Sequence, residues 1–136
     1  PQVEPWEVNA TALLDPANLK WRDLVATGTP LPTPWDRDAF TTLSKQFQQR
    51  RATLVDKGAK DEEYEVLFAE EKAATKQLLD AQRAQHAVGA YEGAMYQARG
   101  LYRPEVDCVM FSRNRNEFCA VCARGIERVI EELTAP

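Results

Sequence analysis

The sequence has very little histidine: His86 is the only one among 136 residues. One imidazole cannot supply the two histidines, four residues apart on a helix, of the His-Glu-X-X-His metal-binding motif. That motif is therefore missing from this sequence.

Positive charge is also scarce, with 17 Lys and Arg against 21 Asp and Glu and a net charge of -4. Nucleic-acid-binding domains normally carry a basic patch, so we expect no nucleic-acid partner. No apolar run reaches the roughly 20 residues that a membrane-spanning helix needs. The length suits one domain, and the 44% hydrophobic fraction is ordinary for a globular protein. Because the sequence starts at Pro1 without Met, we expect a processed product or a fragment.

Cysteine is limited to Cys108, Cys119 and Cys122. In an exported protein this odd number favours one disulfide with a free thiol, or a bond to a missing part, whereas in the cytosol a Cys-X-X-Cys pair favours metal or redox chemistry. We expect a disulfide from Cys108 to Cys119 or Cys122, with Cys119 favoured at the start of a helix. With His86 the cysteines formally make a Cys3His zinc set, but their spacing is irregular for a zinc ribbon or finger. We therefore expect no metal in this chain alone.

Residues 1–36 are rich in proline, which fixes an extended or turned path. We expect a wrapping arm with one short helix that begins at Asp15-Pro16. Trp6, Trp21 and Trp35 are expected to attach this arm to the body of the domain. The alternative is that they form a wall of a substrate cleft.

Residues 37–88 have the pattern of an antiparallel helical hairpin, with helices over 37–57 and 60–88. Gly58 is expected to end the first helix and Asp61 to cap the second. The hairpin is either a solvated spacer or a docking arm. Each helix has an apolar stripe, made in the first by Phe40, Leu43, Phe47 and Leu54, and in the second by Tyr64, Leu67, Leu78, Ala81 and Val88.

Residues 89–136 begin with a window that concentrates Gly, Tyr and Pro and ends in Cys108-Val109-Met110. Such residues indicate loops and tight turns that line a site. The run from Phe118 to Leu133 has a continuous apolar stripe and predicts a closing helix. The expected fold is mainly α: an extended arm (1–36), a helical hairpin (37–88), and a turn-rich segment with a C-terminal helix (89–136), all one domain or part of one.

The turn-rich segment resembles the IgA-protease-like zinc metallopeptidases, a metzincin-like family. The matching motifs are Tyr91-Glu-Gly-Ala94, Gly100-Leu-Tyr-Arg-Pro104, Asp107-Cys-Val-Met110 and Phe118-Cys-Ala-Val-Cys122. The last departs from the family pattern, because Ala120 stands where Pro is expected. The N-terminal stretches 8–11, 20–24 and 28–34 are also similar, so the resemblance covers both ends of the chain.

The resemblance implies a secreted or periplasmic zinc peptidase in which a zinc-bound water, activated by a glutamate, attacks a peptide bond. The family's His-Glu-X-X-His helix would lie upstream of Asn9-Ala10-Thr11. The chain is thus expected to be the C-terminal part of a larger α+β zincin domain, inactive alone, with no catalytic residue and no catalytic metal ligand of its own. Its partners would be the missing N-terminal catalytic portion, or a companion chain with the zinc helix, and a protein or peptide substrate.

The resemblance also implies roles for single residues. Met110 would occupy a tight turn over 107–111, buried against the terminal helix as the floor of the metal site; an exposed Met110 would count against this role. Candidates to line the cleft are Glu92, Tyr96, Tyr102 and Arg103. For Arg103 the alternative is an ion pair with Asp107 or Glu105.

The rival hypothesis is a non-catalytic helical interaction module, or a subunit that docks through the hairpin. A His-Glu-X-X-His segment before Pro1 in the gene, or in another chain of the same particle, would decide between the two.

Overall fold

The computed structural model describes residues 3–112 and 115–136. After an extended arm come helix α1 (Arg37–Asp56), helix α2 (Asp61–Arg83), strands β1 (Tyr91–Ala94) and β2 (Gln97–Arg103), and helix α3 (Ala120–Thr134). The mainly helical class is thus confirmed. No helix in these two described ranges is long and apolar enough to cross a membrane.

The arm follows the body of the domain, as its prolines predict, and its one helix is a short 3-10 turn at Arg22–Leu24. Asp15 starts only a turn, in which its backbone oxygen accepts from the amides of Asn18 and Leu19. Trp21 is fully buried, and its indole N–H donates to the carbonyl of Gly89 at 2.6 Å. Trp6 is 91% exposed, so its predicted attachment to the body is wrong.

The helical hairpin is confirmed over most of its predicted length. Helices α1 and α2 pack together, and Arg51 joins Glu71 across them at 2.7 Å. Gly58 follows the end of α1 with φ of 64°, as its predicted role at the helix end requires. The cap of α2 is Lys60 rather than Asp61, because the backbone N–H of Lys60 bonds back to Glu63.

Helix α2 is shorter than predicted, since it ends at Arg83 and residues 84–88 form turns and bends. Its buried residues are Leu67, Thr75 and Leu79, whereas Ala81 is exposed. In the last turns of α2, the predicted apolar stripe therefore does not coincide with the face that is buried. Leu79 instead packs with Tyr91 and Val106 in one of the two core clusters.

The prediction of loops at the start of the turn-rich segment is wrong for residues 91–103, which form an antiparallel hairpin. Tyr91 pairs with Arg103, Glu92 with Tyr102 and Ala94 with Gln97, with an irregularity in the register at Gly93. The two-residue turn places Met95 and Tyr96 at φ of 50° and 62°. Such angles are usual for Gly or Asn in these turns and strained for larger side chains.

Helix α3 confirms the predicted C-terminal helix. Its first turn is buried through Val121 and Cys122, which pack with Trp21 and Cys108 in the second core cluster. Beyond this turn the predicted apolar stripe is exposed, at Ile126, Val129, Ile130 and Leu133.

Candidate functional site

Arg103, the last residue of β2, holds the centre of the site together. Its guanidinium lies 4.4 Å from the ring centroid of Trp35 and 3.9 Å from that of Phe111. Its N–H groups donate to the carbonyls of Gly93 (2.6 Å) and Val106 (3.0 Å). Burial lowers the pKa of Arg103 to about 9, so the group keeps its charge at neutral pH. The N–H groups of Arg103 therefore hold the backbone of the neighbouring segments in place.

The two acidic neighbours of Arg103 have other partners. Glu105 is buried, forms an ion pair with Arg83 at 3.2 Å and accepts from the amide of Ala120 at 2.9 Å, at the positive end of α3. Asp107 accepts from the amide of Cys108 at 2.9 Å, and burial raises its pKa. The alternative in which Arg103 pairs with one of them has no ion pair within 4.0 Å to support it among the described residues.

A cavity of about 550 Å³ opens beside Arg103. It lies between the tip of the β-hairpin at Met95 and Tyr96, the start of α1 and the turn after Cys108. Its walls include Glu92, Tyr96, Met110 and Phe111. Three of these four side chains are exposed, with Tyr96 entirely in solvent at the strained tip. The cavity is therefore an open, largely apolar cleft with few polar groups, as ligand sites commonly are.

Glu92 is the charged centre of one wall. Its carboxylate accepts from Arg99 at 2.9 Å and from Arg37 at 3.1 Å, and the Tyr102 hydroxyl lies 3.4 Å from its other oxygen. Burial raises the pKa of this carboxyl, but the hydrogen bond from Arg99 and the charge of Arg37 lower it more, so the net shift is downward. Glu92 is thus an ionised anchor for two arginines and is poorly suited to proton transfer near neutral pH.

The predicted turn over 107–111 is present, because the amides of Phe111 and Ser112 both donate to the carbonyl of Cys108. The predicted burial of Met110 against the terminal helix is wrong, because this side chain is 63% exposed and lines the open cavity. Its neighbour Phe111 is 36% exposed and packs its ring against the Arg103 guanidinium at 3.9 Å.

The three cysteines meet at the base of the cavity. Their Sγ atoms all lie within 4.8 Å of one another, and those of Cys108 and Cys122 are 3.8 Å apart. All three are buried and free of disulfides. The disulfide from Cys108 to Cys119 or Cys122 therefore stays a prediction. His86 is outside this group, so the formal Cys3His set is not assembled.

Of the predicted cleft residues, Glu92, Tyr96 and Arg103 line the cavity together, while Tyr102 reaches it only through Glu92. Sequence reasoning missed Asn9 and Arg37, which also line it. Asn9 comes from the arm and Arg37 from the start of α1, so no local pattern marks either. The Asn9-Ala10-Thr11 stretch of the family resemblance was the only available signal.

Comparison with known families now adds to this geometry. A sequence profile of the IgA peptidase M64 family matches residues 1–130. The chain belongs to the IgA peptidase M64 family. The match spans the arm, the helical hairpin, the cavity and most of α3, so every element of the candidate site lies within the family region. A search of curated proteins found no match.

The M64 match supports a peptidase-related function, and because M64 is a metallopeptidase family, the match implies a zinc ion in the complete enzyme. The chain's own residues do not fit such a catalytic zinc. It has one histidine, and in residues 3–112 and 115–136 the only cluster of three or more potential ligands is the cysteine group. No catalytic step can be derived through a metal from these residues.

Proposed function

We propose that this chain is the C-terminal part of a secreted zinc-dependent peptidase and supplies one wall of its substrate cleft. The observation that carries the proposal is the open cavity between the hairpin tip and the turn at Met110, within the M64-matched region. The His-Glu-X-X-His ligands would come from a larger α+β zincin domain, on the same polypeptide or on a companion chain.

The residues of this chain bind and orient substrate in this proposal. Arg103 fixes the wall by holding the backbone of β1 and of the following turn. Glu92 orients Arg37 and Arg99, and of these two Arg37 lines the cavity, where a guanidinium can bind a peptide carbonyl or carboxylate. Tyr96 offers an exposed ring and hydroxyl at the rim.

The exposure of Met110 changes the role that we propose for the turn over residues 107–111. A floor buried within this chain is no longer part of the proposal, because Met110 is 63% exposed. Instead, we take Met110 as the part of the rim that the zinc-bearing portion covers in the complete enzyme. A thioether suits such a contact, since it packs against irregular apolar surfaces without adding charge.

The rival function is a non-catalytic helical interaction module. The exposure of Met110 favours it, and so does the bare apolar side of α3 at Val129, Ile130 and Leu133. In that case the same surfaces would bind a partner protein and no cleft would be completed.

The decisive experiment compares this chain alone with the chain joined to the upstream part of its reading frame. We expect no peptide cleavage by the chain alone and zinc-dependent cleavage by the joined protein. Tyr96→Ala should then lower kcat/KM about tenfold or more, while Phe68→Ala, an exposed aromatic on α2, should leave it unchanged. Lack of a zinc-ligand segment upstream, with no cleavage by the joined protein, would favour the rival.

A further inference from the structure

The three cysteine sulfurs share an arrangement that the cleft proposal does not use. Each sulfur accepts at least one N–H group: Cys108 from the Cys119 amide at 3.2 Å, Cys119 from the Cys122 amide at 3.5 Å, and Cys122 from the Asn9 side chain at 3.4 Å. Such donors stabilise negative charge on sulfur, and outer hydrogen bonds of this kind orient metal-binding ligands. The positive end of α3 adds to the effect, because Cys119 is its N-cap residue.

The spacing of the sulfurs also matches a metal site. Two sulfurs that each lie at the usual ~2.3 Å from a tetrahedral zinc ion are about 3.8 Å apart. The Cys108 and Cys122 sulfurs are 3.8 Å apart, and all three lie within 4.8 Å of one another. A disulfide would need one pair to close to about 2.05 Å and would leave the third sulfur unused. A shared metal ion engages all three with little movement.

We propose that Cys108, Cys119 and Cys122 bind one zinc ion as three thiolates, with Asn9 positioning the Cys122 sulfur. Binding replaces three S–H bonds by three S–Zn bonds and releases three protons to solvent, so the site carries one net negative charge. The three cysteines also line the cavity, which leaves a fourth position for water or another small ligand. The ion links α3 to the turn after β2.

This site is separate from the catalytic zinc of the proposed peptidase. It amends the expectation that the chain alone binds no metal, and it takes the place of the expected disulfide. Its ligands all belong to the described chain, and it needs no upstream segment. A failure of the zinc-binding test therefore leaves the cleft proposal untouched, and a failure of the peptidase test leaves this one untouched.

The test uses the full chain, purified without reductant and again after reduction and incubation with Zn²⁺, followed by removal of loosely bound metal. We expect one zinc per chain by elemental analysis and three titratable thiols after denaturation with a chelator. Replacing zinc by Co²⁺ should give thiolate-to-cobalt charge-transfer absorption. Raising the pH should strengthen binding, because protons compete with the metal.

Variants locate the site. Cys119→Ser should abolish the cobalt absorption, and Asn9→Ala should weaken zinc binding by about tenfold or more through loss of its bond to sulfur. His86→Ala is the control and should bind zinc as the unchanged chain does. Because Asn9→Ala leaves all three cysteines in place, it keeps the test valid if Cys119→Ser fails to fold.

Other outcomes would overturn the proposal. A mass lower by two hydrogens with one free thiol would show a disulfide in place of the metal. Three free thiols with no retained zinc, even after the reduced chain is incubated with Zn²⁺, would show an empty thiol cluster. Zinc lost in His86→Ala but kept in Cys119→Ser would place the metal elsewhere.

Discussion

The guanidinium of Arg103 lies 3.9 Å from the ring centroid of Phe111, eight residues further along the chain. This contact folds the segment after β2 back onto the hairpin, with Trp35 on the same guanidinium at 4.4 Å. The base of the candidate cleft is thus held by a buried cation between aromatic rings, with its N–H groups on backbone carbonyls. A buried guanidinium of this kind stabilises the fold only while all of its N–H groups have hydrogen-bond acceptors.

The first prediction replaces this group by Arg103→Lys. A lysine keeps the charge but cannot reach both the Gly93 and Val106 carbonyls, which are then left without a donor. We expect the free energy of unfolding to fall by about 2 kcal/mol or more in urea denaturation. Arg99→Lys, at an exposed position on the same strand, is the control and should change stability by less than about 0.5 kcal/mol. Equal effects of the two variants would contradict the structural role of Arg103.

The second prediction concerns Gly89, where the N-terminal arm meets the start of the β-hairpin. A Cβ atom there would lie 2.1 Å from Oγ1 of Thr33, which accepts from the Ala90 amide at 2.8 Å. Gly89→Ala must push Thr33 away and break this contact. We expect the free energy of unfolding, measured by urea denaturation, to fall by about 2 kcal/mol or more, as it does at other overpacked sites.

Gly58→Ala is the matched control for Gly89→Ala. Its added Cβ meets open space, and only its φ of 64° opposes the change, so the loss should be about 1 kcal/mol. A Gly89→Ala chain as stable as Gly58→Ala would show that the arm can separate from the hairpin at little cost.

The sequence predicted the elements with strong local signals. Helix α1 and the start of α2 follow from apolar stripes and from Gly58 between them, and α3 follows from its own stripe. The β-hairpin was missed because its turn contains Met95 and Tyr96 where Asn-Gly would be the usual signal. Thr11 pairs with Tyr102, and the Trp35 indole donates to the Glu92 carbonyl, so tertiary contacts hold the two strands although their turn is locally disfavoured.

The candidate site was only partly predictable for a related reason. Family motifs pointed to Glu92, Tyr96 and Arg103, which do line one cavity. They did not reveal that Phe111 would contact Arg103 while Met110 stays 63% exposed, because neighbouring side chains in a turn point in different directions. The cysteine cluster depends on tertiary packing that brings Cys108 beside Cys119 and Cys122, which sequence spacing alone does not fix.

The third prediction uses the lowered pKa of Glu92. A carboxyl whose pKa is lower in the folded chain adds stability above its unfolded pKa, ordinarily about 4.5, and loses it as the pH falls through the folded value. Glu92→Gln removes this contribution. The stability difference between the original chain and the variant should be about 0.5–1 kcal/mol at pH 7, since the pair with Arg99 is partly exposed.

That difference should shrink below about pH 4.5 and vanish in stronger acid. Asp107 has the opposite shift, since burial raises its pKa, and it remains in both chains. Its contribution therefore cancels when the two are compared. A difference that grows as the pH falls would contradict the proposed ion pairs. Urea denaturation of both chains from pH 3 to pH 8 measures it.

The last prediction separates the two functions through Met110. Because this side chain is 63% exposed, Met110→Ser should change the stability of the chain alone by no more than about 0.5 kcal/mol. In the complete enzyme the cleft proposal puts Met110 against the zinc-bearing portion. There the polar substitution Met110→Ser should lower both the thermal stability and the peptidase activity. Met110→Leu roughly conserves volume, so it should lower the free energy of unfolding by less than about 1.5 kcal/mol and keep the activity. Val55→Ser, at a 62% exposed position on α1, is the control and should affect neither. If Met110→Ser leaves the complete enzyme as stable and active as before, Met110 is not covered, and the interaction-module hypothesis gains.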